Sequence, residues 1–133
     1  MTEGLVYLDS SALIKLIFEE DETDALVAFL RTRPRRVSSA LARIEVTRIV
    51  SGVGDPLPAR EARRVLAALD LIRIDDDIVT RAAALEPGGL RSLDAVHLAT
   101  AQMLGHHLAG MVVYDRTLAS AAKAAGITTW SPK

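Results

Sequence analysis

The sequence contains no cysteine, which excludes disulfide bonds and thiolate metal sites. Aromatic residues make up only 4% of the 133 residues whereas hydrophobic residues make up 50%, so the core must be largely aliphatic. There is no basic excess, because the formal net charge is −1, and binding to a nucleic acid would have to depend on local basic patches. No apolar run approaches the length of a membrane span, and the start of the chain is too short and too acidic for a signal peptide. We therefore expect a soluble, cytoplasmic protein.

The length and the order of the apolar runs predict one domain of the α/β class. A chain of 133 residues suits a single core. Short apolar runs at residues 4–8 and 110–114 have the composition of buried strands, and they alternate with helical patterns such as 40–51 and 59–69. This alternation predicts a three-layer α/β/α sandwich with a central, mostly parallel sheet of four to five strands. In such sheets the binding crevice lies outside the carboxyl ends of the strands.

Residues 93–104 are predicted to form a helix that is buried on most sides, because nearly every side chain there is apolar or small. Ser92 is the predicted N-cap of this helix. Asp94 lies in its first turn, and a carboxylate buried without a partner normally binds a proton or a cation. We therefore expect Asp94 to have a positively charged partner or to bind a proton.

Three further acids occupy positions from which they could reach Asp94. Asp9 and Asp115 each follow a predicted buried strand, and either could be only a helix N-cap. Glu45 lies within the apolar stripe of the helix at 40–51, although its side chain could also reach solvent or Arg48. Asp94 itself could simply interact favourably with the helix dipole. Taken singly, none of the four acids requires a functional explanation.

Taken together, four acids in one crevice would repel one another unless a cation lay between them. Oxygen ligands without sulfur favour Mg²⁺ or Mn²⁺ over zinc. Such an ion can activate water, polarise a phosphoryl oxygen and stabilise a leaving oxygen. The acids therefore suggest metal-dependent phosphodiester hydrolysis, provided that the fold brings them together.

The motifs around these acids also resemble a known family. They are LDSSALIK at residues 8–15, RIEV at 43–46, LRSLDAVHLA at 90–99 and VYDRTL at 113–118. Their order and spacing resemble those of PIN domains and, more narrowly, of the VapC toxins of bacterial toxin–antitoxin pairs. The resemblance covers almost the whole chain, so it implies a single PIN domain over residues 1–133.

The resemblance implies a Mg²⁺- or Mn²⁺-dependent endoribonuclease that cleaves RNA (tRNA, rRNA or mRNA) and thereby inhibits translation. It assigns catalytic and metal-binding roles to a set of four acids, Asp9, Glu45, Asp94 and Asp115. Ser11 matches the small polar residue that supports the first acid. Thr117 occupies a position where relatives carry Asp, Asn, Ser or Thr, so a fifth carboxylate is missing here. The resemblance also implies a homodimer and a VapB-type antitoxin, with which the toxin would form a heterotetramer or hetero-octamer.

Several neighbouring residues have two interpretations. His97 shares a helix face with Asp94, and we expect a hydrogen-bonded core histidine rather than a catalytic base. Arg91 and Arg116 flank two of the acids and could either contact RNA phosphate or form surface ion pairs. The acidic run at residues 75–77 is expected to cap the next helix.

Two alternative functions remain at this point. A receiver-like signalling domain is also a small acidic α/β fold, but it would need an adjacent acid pair after the first strand, where this chain has a single Asp9. A catalytically silent PIN-like binding module would keep the fold without the chemistry. Intact acids at all four motif positions argue against that alternative.

Overall fold

The computed structural model describes residues 4–86 and 89–133. Within them lie five strands, β1 (Leu5–Leu8), β2 (Arg36–Ser39), β3 (Asp70–Ile72), β4 (Leu108–Val112) and β5 (Thr129–Trp130). The same residues form seven α-helices, α1 (Ser10–Ile17), α2 (Thr23–Leu30), α3 (Ala40–Ser51), α4 (Pro56–Ala67), α5 (Asp76–Ala83), α6 (Ser92–Met103) and α7 (Arg116–Ala124). A short 3-10 helix, Gly105–His107, leads into β4. None of the described helices is both long and apolar enough to cross a bilayer.

The strands form one parallel sheet in the order β3-β2-β1-β4-β5, with helices on both faces. Alternate side chains of β1 enter different cores, as expected for a strand covered on both faces. Val6 and Leu8 pack with residues of α1–α4, whereas Tyr7 packs with residues of α6 and α7. Helix α5 packs on α6 and thereby completes that second layer. The predicted three-layer α/β/α sandwich is confirmed.

The strand order creates a topological switch point at the centre of the sheet. From β1 the chain moves outward through β2 and β3, and it then returns to β4 on the other side of β1. Leu8 at the end of β1 lies opposite Val112 at the end of β4. Crevices at such points are where open α/β sheets bind ligands. The segments that carry Asp9 and Asp115 both leave the sheet at this point.

Several element boundaries differ from those predicted. Helix α4 begins at Pro56 rather than residue 59, because Asp55 caps it and the first-turn prolines need no hydrogen-bond acceptor. Helix α6 begins at Ser92 itself, so Arg91 and not Ser92 is the N-cap residue. The first backbone hydrogen bond of α6 joins the Ala95 N–H to the Arg91 carbonyl, one residue before the position expected for a cap at Ser92. Strand β4 begins at Leu108 rather than residue 110.

Candidate active site at the carboxyl edge of the sheet

Asp9 is the most deeply buried acid of the site, with only 3% of its surface exposed. It is the N-cap of α1, and its Oδ1 accepts hydrogen bonds from the Ala12 N–H at 3.1 Å and the Ser11 hydroxyl at 2.6 Å. Burial raises the pKa of Asp9 to about 6, even though both hydrogen bonds and the nearby His97 act to lower it. The charge on Asp94 acts in the same direction as burial, so these two acids lie within electrostatic reach of each other.

Ser11 ties this acid to the neighbouring strand segment. Its hydroxyl donates to Asp9 and accepts from the Tyr114 N–H at 3.2 Å. One side chain thus joins the chain just after β1 to the chain just after β4. This contact is the structural basis for the supporting role that the motif implies for Ser11.

Asp94 and Asp115 contact the same guanidinium group. Arg91 Nε donates to Asp94 Oδ2, and Arg91 Nη2 donates to Asp115 Oδ2, both at 3.0 Å. Asp94 is buried at the start of α6, whereas the Arg91 side chain is 74% exposed. The positive charge of Arg91 also lowers the pKa of Glu45. Arg91 therefore forms the ion pairs predicted as one of its two possible roles, and it is the cation that links these acids.

Glu45 reaches the site from α3, on the other side of the switch point. Its Oε1 accepts a short hydrogen bond from the Ser10 hydroxyl and lies 2.8 Å from His97 Nε2. Burial alone would raise the pKa of Glu45, but the hydrogen bonds from His97 and Ser10 outweigh it and the pKa lies below its ordinary value. Glu45 is thus held as a carboxylate at the crevice and does not pair with Arg48 or extend freely into solvent.

His97 is a hydrogen-bonded core residue, as predicted. Its ring is 2% exposed, with Nδ1 2.6 Å from the Tyr7 hydroxyl and Nε2 beside Glu45. Tyr7 and Ser10 also belong to this network, although neither was predicted as a site residue from the sequence. One signal was available for Tyr7, because a hydroxyl in a strand buried on both faces needs a hydrogen-bond partner.

Asp115 also caps α7, and the remaining motif residues lie around it. Its Oδ1 accepts from the Thr117 N–H at 2.8 Å. That contact uses the backbone of Thr117, so it does not depend on the threonine side chain. Arg116 is exposed beside Asp115 and lines a shallow groove with Ser120 and Lys123.

The acids supply the oxygen donors that a divalent cation prefers, but in this structure they are not arranged around a preformed cation site. In the described residues, no three or more His, Asp or Glu side chains stand ready to hold a metal ion. The donors are nevertheless carboxylates, the raised pKa of Asp9 shows that its charge is poorly compensated, and Asp94 and Asp115 turn their Oδ2 atoms to one cationic group. An ion at this position would have to displace the guanidinium of Arg91.

The acidic run at residues 75–77 has the predicted capping role. Asp75 accepts from the Ile78 N–H at 2.9 Å, and Asp76 and Asp77 lie in the first turn of α5. These acids are exposed and far along the sheet from the switch point.

Sequence comparison identifies relatives along nearly the whole chain. The PIN domain family matches residues 6–124. Ribonuclease VapC46 of Mycobacterium tuberculosis is 51% identical over 128 residues, which cover 96% of this chain and 97% of that protein. Ribonuclease VapC35 of the same species is 44% identical over 133 residues, with the same two shares covered.

Solved structures show the same fold. A toxin–antitoxin complex from Klebsiella pneumoniae contains a chain with 26% identity and a TM-score of 0.65, covering 83% of this chain and 86% of that one. VapC20 of Mycobacterium tuberculosis, a sarcin–ricin loop cleaving toxin, has a TM-score of 0.71 at 15% identity, covering 92% of this chain and 96% of that one. By sequence and by fold, this chain belongs to the PIN-domain family and, within it, to the VapC ribonucleases.

Proposed function

We propose that this VapC-family chain is a metal-dependent endoribonuclease toxin that cleaves RNA in the cytoplasm and so inhibits translation. The observation that carries the proposal is the meeting of Asp9, Asp94 and Asp115 around one switch-point crevice, with the guanidinium of Arg91 between the last two. Family membership does not favour the receiver-like alternative.

The four acids Asp9, Glu45, Asp94 and Asp115 would hold Mg²⁺ or Mn²⁺. When bound, the ion supplies an activated water and neutralises charge on the reacting phosphate. Asp9 is suited to this role because its two hydrogen bonds end on Oδ1 and leave Oδ2 available. The absence of a carboxylate at Thr117 favours a single ion over a pair.

The chain's own residues would bind and orient the RNA. Arg91 is largely exposed and can turn from its acids to a phosphate, and Arg116, which follows Asp115 in the chain, is exposed as well. Guanidinium groups bind phosphate through two parallel hydrogen bonds, which fixes the phosphate in direction as well as in place. With so few aromatic residues available for stacking, we propose that shape and phosphate contacts select the RNA.

The decisive experiment is cleavage mapping on total RNA, with and without Mg²⁺ or Mn²⁺. We expect discrete cuts that disappear in EDTA, and a loss of at least about 100-fold for Asp94→Asn, because this change removes a ligand charge while keeping the shape. Asp75→Asn is the matched control, since it changes an acid that only caps a helix. Metal-independent cleavage, or wild-type cleavage by Asp94→Asn, would refute the proposal. A complete absence of cleavage by the wild type would favour the silent binding module.

We further propose a VapB-type antitoxin as partner, because one similar structure is a toxin–antitoxin complex. A cavity of about 410 Å³ adjoins the site and is lined by residues that include Ile14, Ile49 and Tyr114. Ile49 is 47% exposed, so an apolar segment of a partner could bind there. Co-expression with its VapB-type antitoxin should abolish toxicity. Light scattering would then distinguish the proposed homodimer from the heterotetramer or hetero-octamer.

A further inference from the structure

A buried chain of hydrogen bonds runs from the central strand to Glu45. The Tyr7 hydroxyl, on β1, lies 2.6 Å from His97 Nδ1, and His97 Nε2 lies 2.8 Å from Glu45 Oε1. Tyr7 is fully buried and His97 is almost so. The three residues come from β1, α6 and α3, so the chain connects the sheet to helices of both outer layers.

The direction of these hydrogen bonds follows from the groups involved. An ionised carboxylate has no hydrogen to donate, so the hydrogen between His97 Nε2 and Glu45 Oε1 belongs to the imidazole. The Tyr7 phenol carries a hydroxyl hydrogen and donates it to Nδ1. His97 therefore presents an Nε2–H group to Glu45.

In the described part of the chain, the hydrogen bonds to Glu45 end on a single oxygen. His97 and Ser10 both donate to Oε1, which leaves Oε2 without a hydrogen-bond donor among the described residues. A glutamate side chain has three rotatable bonds, and fixing them in one rotamer costs conformational entropy. Two donors on Oε1 select one of its rotamers before any ligand arrives.

We propose that His97, supported by Tyr7, is a positioning residue that holds the Glu45 carboxylate by Oε1 and directs Oε2 into the active site. The proposal rests on the proposed function of Glu45 as a ligand in that site. His97 itself does not touch the substrate, since its ring is buried and both nitrogens have partners. It acts only through Glu45.

The test compares three variants of the full chain with a matched core control. His97→Leu removes the donor, His97→Gln restores an N–H at a similar distance from the backbone, and Tyr7→Phe removes only the supporting hydroxyl. The control is Leu98→Val, which perturbs the neighbouring buried position but removes no hydrogen-bonding group. Each is assayed for Mn²⁺ binding by calorimetry without RNA, and for cleavage of total RNA.

We expect His97→Leu to weaken Mn²⁺ binding and cleavage by about 10- to 100-fold, as is typical when a support of a metal ligand is lost. Tyr7→Phe should lower both by about 3- to 10-fold, and His97→Gln should recover most of the loss. Leu98→Val should lower the melting temperature without changing Mn²⁺ affinity. In the wild type, ¹⁵N NMR should show His97 Nε2 protonated.

Each of several results would overturn the inference. The inference is wrong if NMR shows His97 Nε2 without a hydrogen, or if Tyr7→Phe binds Mn²⁺ with wild-type affinity. It is also wrong if His97→Gln binds Mn²⁺ and cleaves RNA no better than His97→Leu. If His97→Leu does not fold, Tyr7→Phe and the NMR measurement still decide the question. Glu45→Gln separates the two proposals. If it cleaves RNA at the wild-type rate, the role proposed for Glu45 is wrong, whereas an inactive Glu45→Gln beside a fully active His97→Leu contradicts only the positioning role.

Discussion

At Asp9, a carboxylate is held in a buried position by two hydrogen bonds from the described residues, and both end on the same oxygen, Oδ1. The charge on Asp9 therefore destabilises the folded protein by an amount that depends on pH. Because burial raises the pKa of Asp9 from 3.8 to about 6, the folded state binds more protons than the unfolded state between those values. The free energy of unfolding contributed by this group consequently falls as the pH rises from about 4 to about 6.

We predict that Asp9→Asn stabilises the metal-free protein at neutral pH. The shift corresponds to roughly 3 kcal/mol at pH 7.5, which is the upper limit of the gain, and the difference should vanish near pH 4. Asparagine can still cap α1, so the helix itself is preserved. Urea unfolding in EDTA at several pH values measures the effect. Parallel pH profiles for the two proteins would show that Asp9 is not the group responsible.

Arg91 is a competitor of the proposed ion, because its guanidinium already lies between Asp94 and Asp115. We predict that Arg91→Gln increases the affinity for Mn²⁺ by about fivefold, since it removes a competing positive charge whose exposed ion pairs are individually weak. Cleavage at saturating Mn²⁺ should nevertheless fall, because a phosphate contact is lost. Arg64→Gln, which breaks the exposed pair with Glu61, serves as the control and should change neither quantity. Unchanged or weaker Mn²⁺ binding in Arg91→Gln would contradict the competition.

At the scale of the helices, two acids act as N-caps in the same way, but replacing them is expected to have different effects on cleavage. Asp75 caps α5 and Asp115 caps α7, each through a hydrogen bond from a first-turn N–H to Oδ1. We predict that replacing either by alanine lowers the free energy of unfolding by about 1 kcal/mol. Only Asp115→Ala should also abolish cleavage, and Asp115→Asn should abolish cleavage while retaining stability. If Asp75→Ala impairs cleavage as strongly, the separation of the two roles is wrong.

The order and type of the elements could be predicted because their signals are local. The apolar run at the start of the chain predicts β1, and Asp75 and its neighbours predict the capped start of α5. The start of α4 was missed because two prolines at residues 56 and 58 suggest a turn, although both are tolerated in the first turn of a helix. The predicted start of α6 is one residue too late. Serine is a strong N-cap signal, but in this helix Ser92 is the first helical residue and Arg91 is the N-cap.

The site was only partly predictable for a different reason. The acids could be proposed because each has a position relative to a strand end or an apolar stripe. The pairing of His97 with Tyr7, 90 residues away, depends on how two elements pack, and no local pattern encodes it. The same holds for Arg91, whose sequence position allowed either a phosphate or an acid as its partner.

For the whole molecule, ion binding and folding should be coupled. An ion that binds only the folded protein raises its free energy of unfolding by about 2.7 kcal/mol at 100 times the dissociation constant. We predict that Mn²⁺ raises the melting temperature of the wild type but not of a variant carrying Asp9→Asn and Asp94→Asn together. Scanning fluorimetry with Mn²⁺ against EDTA measures this. An equal shift in both proteins would place the ion elsewhere.

The position of β1 between β2 and β4 also has a consequence for the synthesis of the protein. Ser11 is synthesised 103 residues before its partner Tyr114, so the two can meet only after β4 has been made, and Asp115 follows. A nascent chain therefore cannot assemble the crevice until β4 and the residues just after it have left the ribosome. By this strand order, the proposed active site stays incomplete while the segments between β1 and β4 are being synthesised.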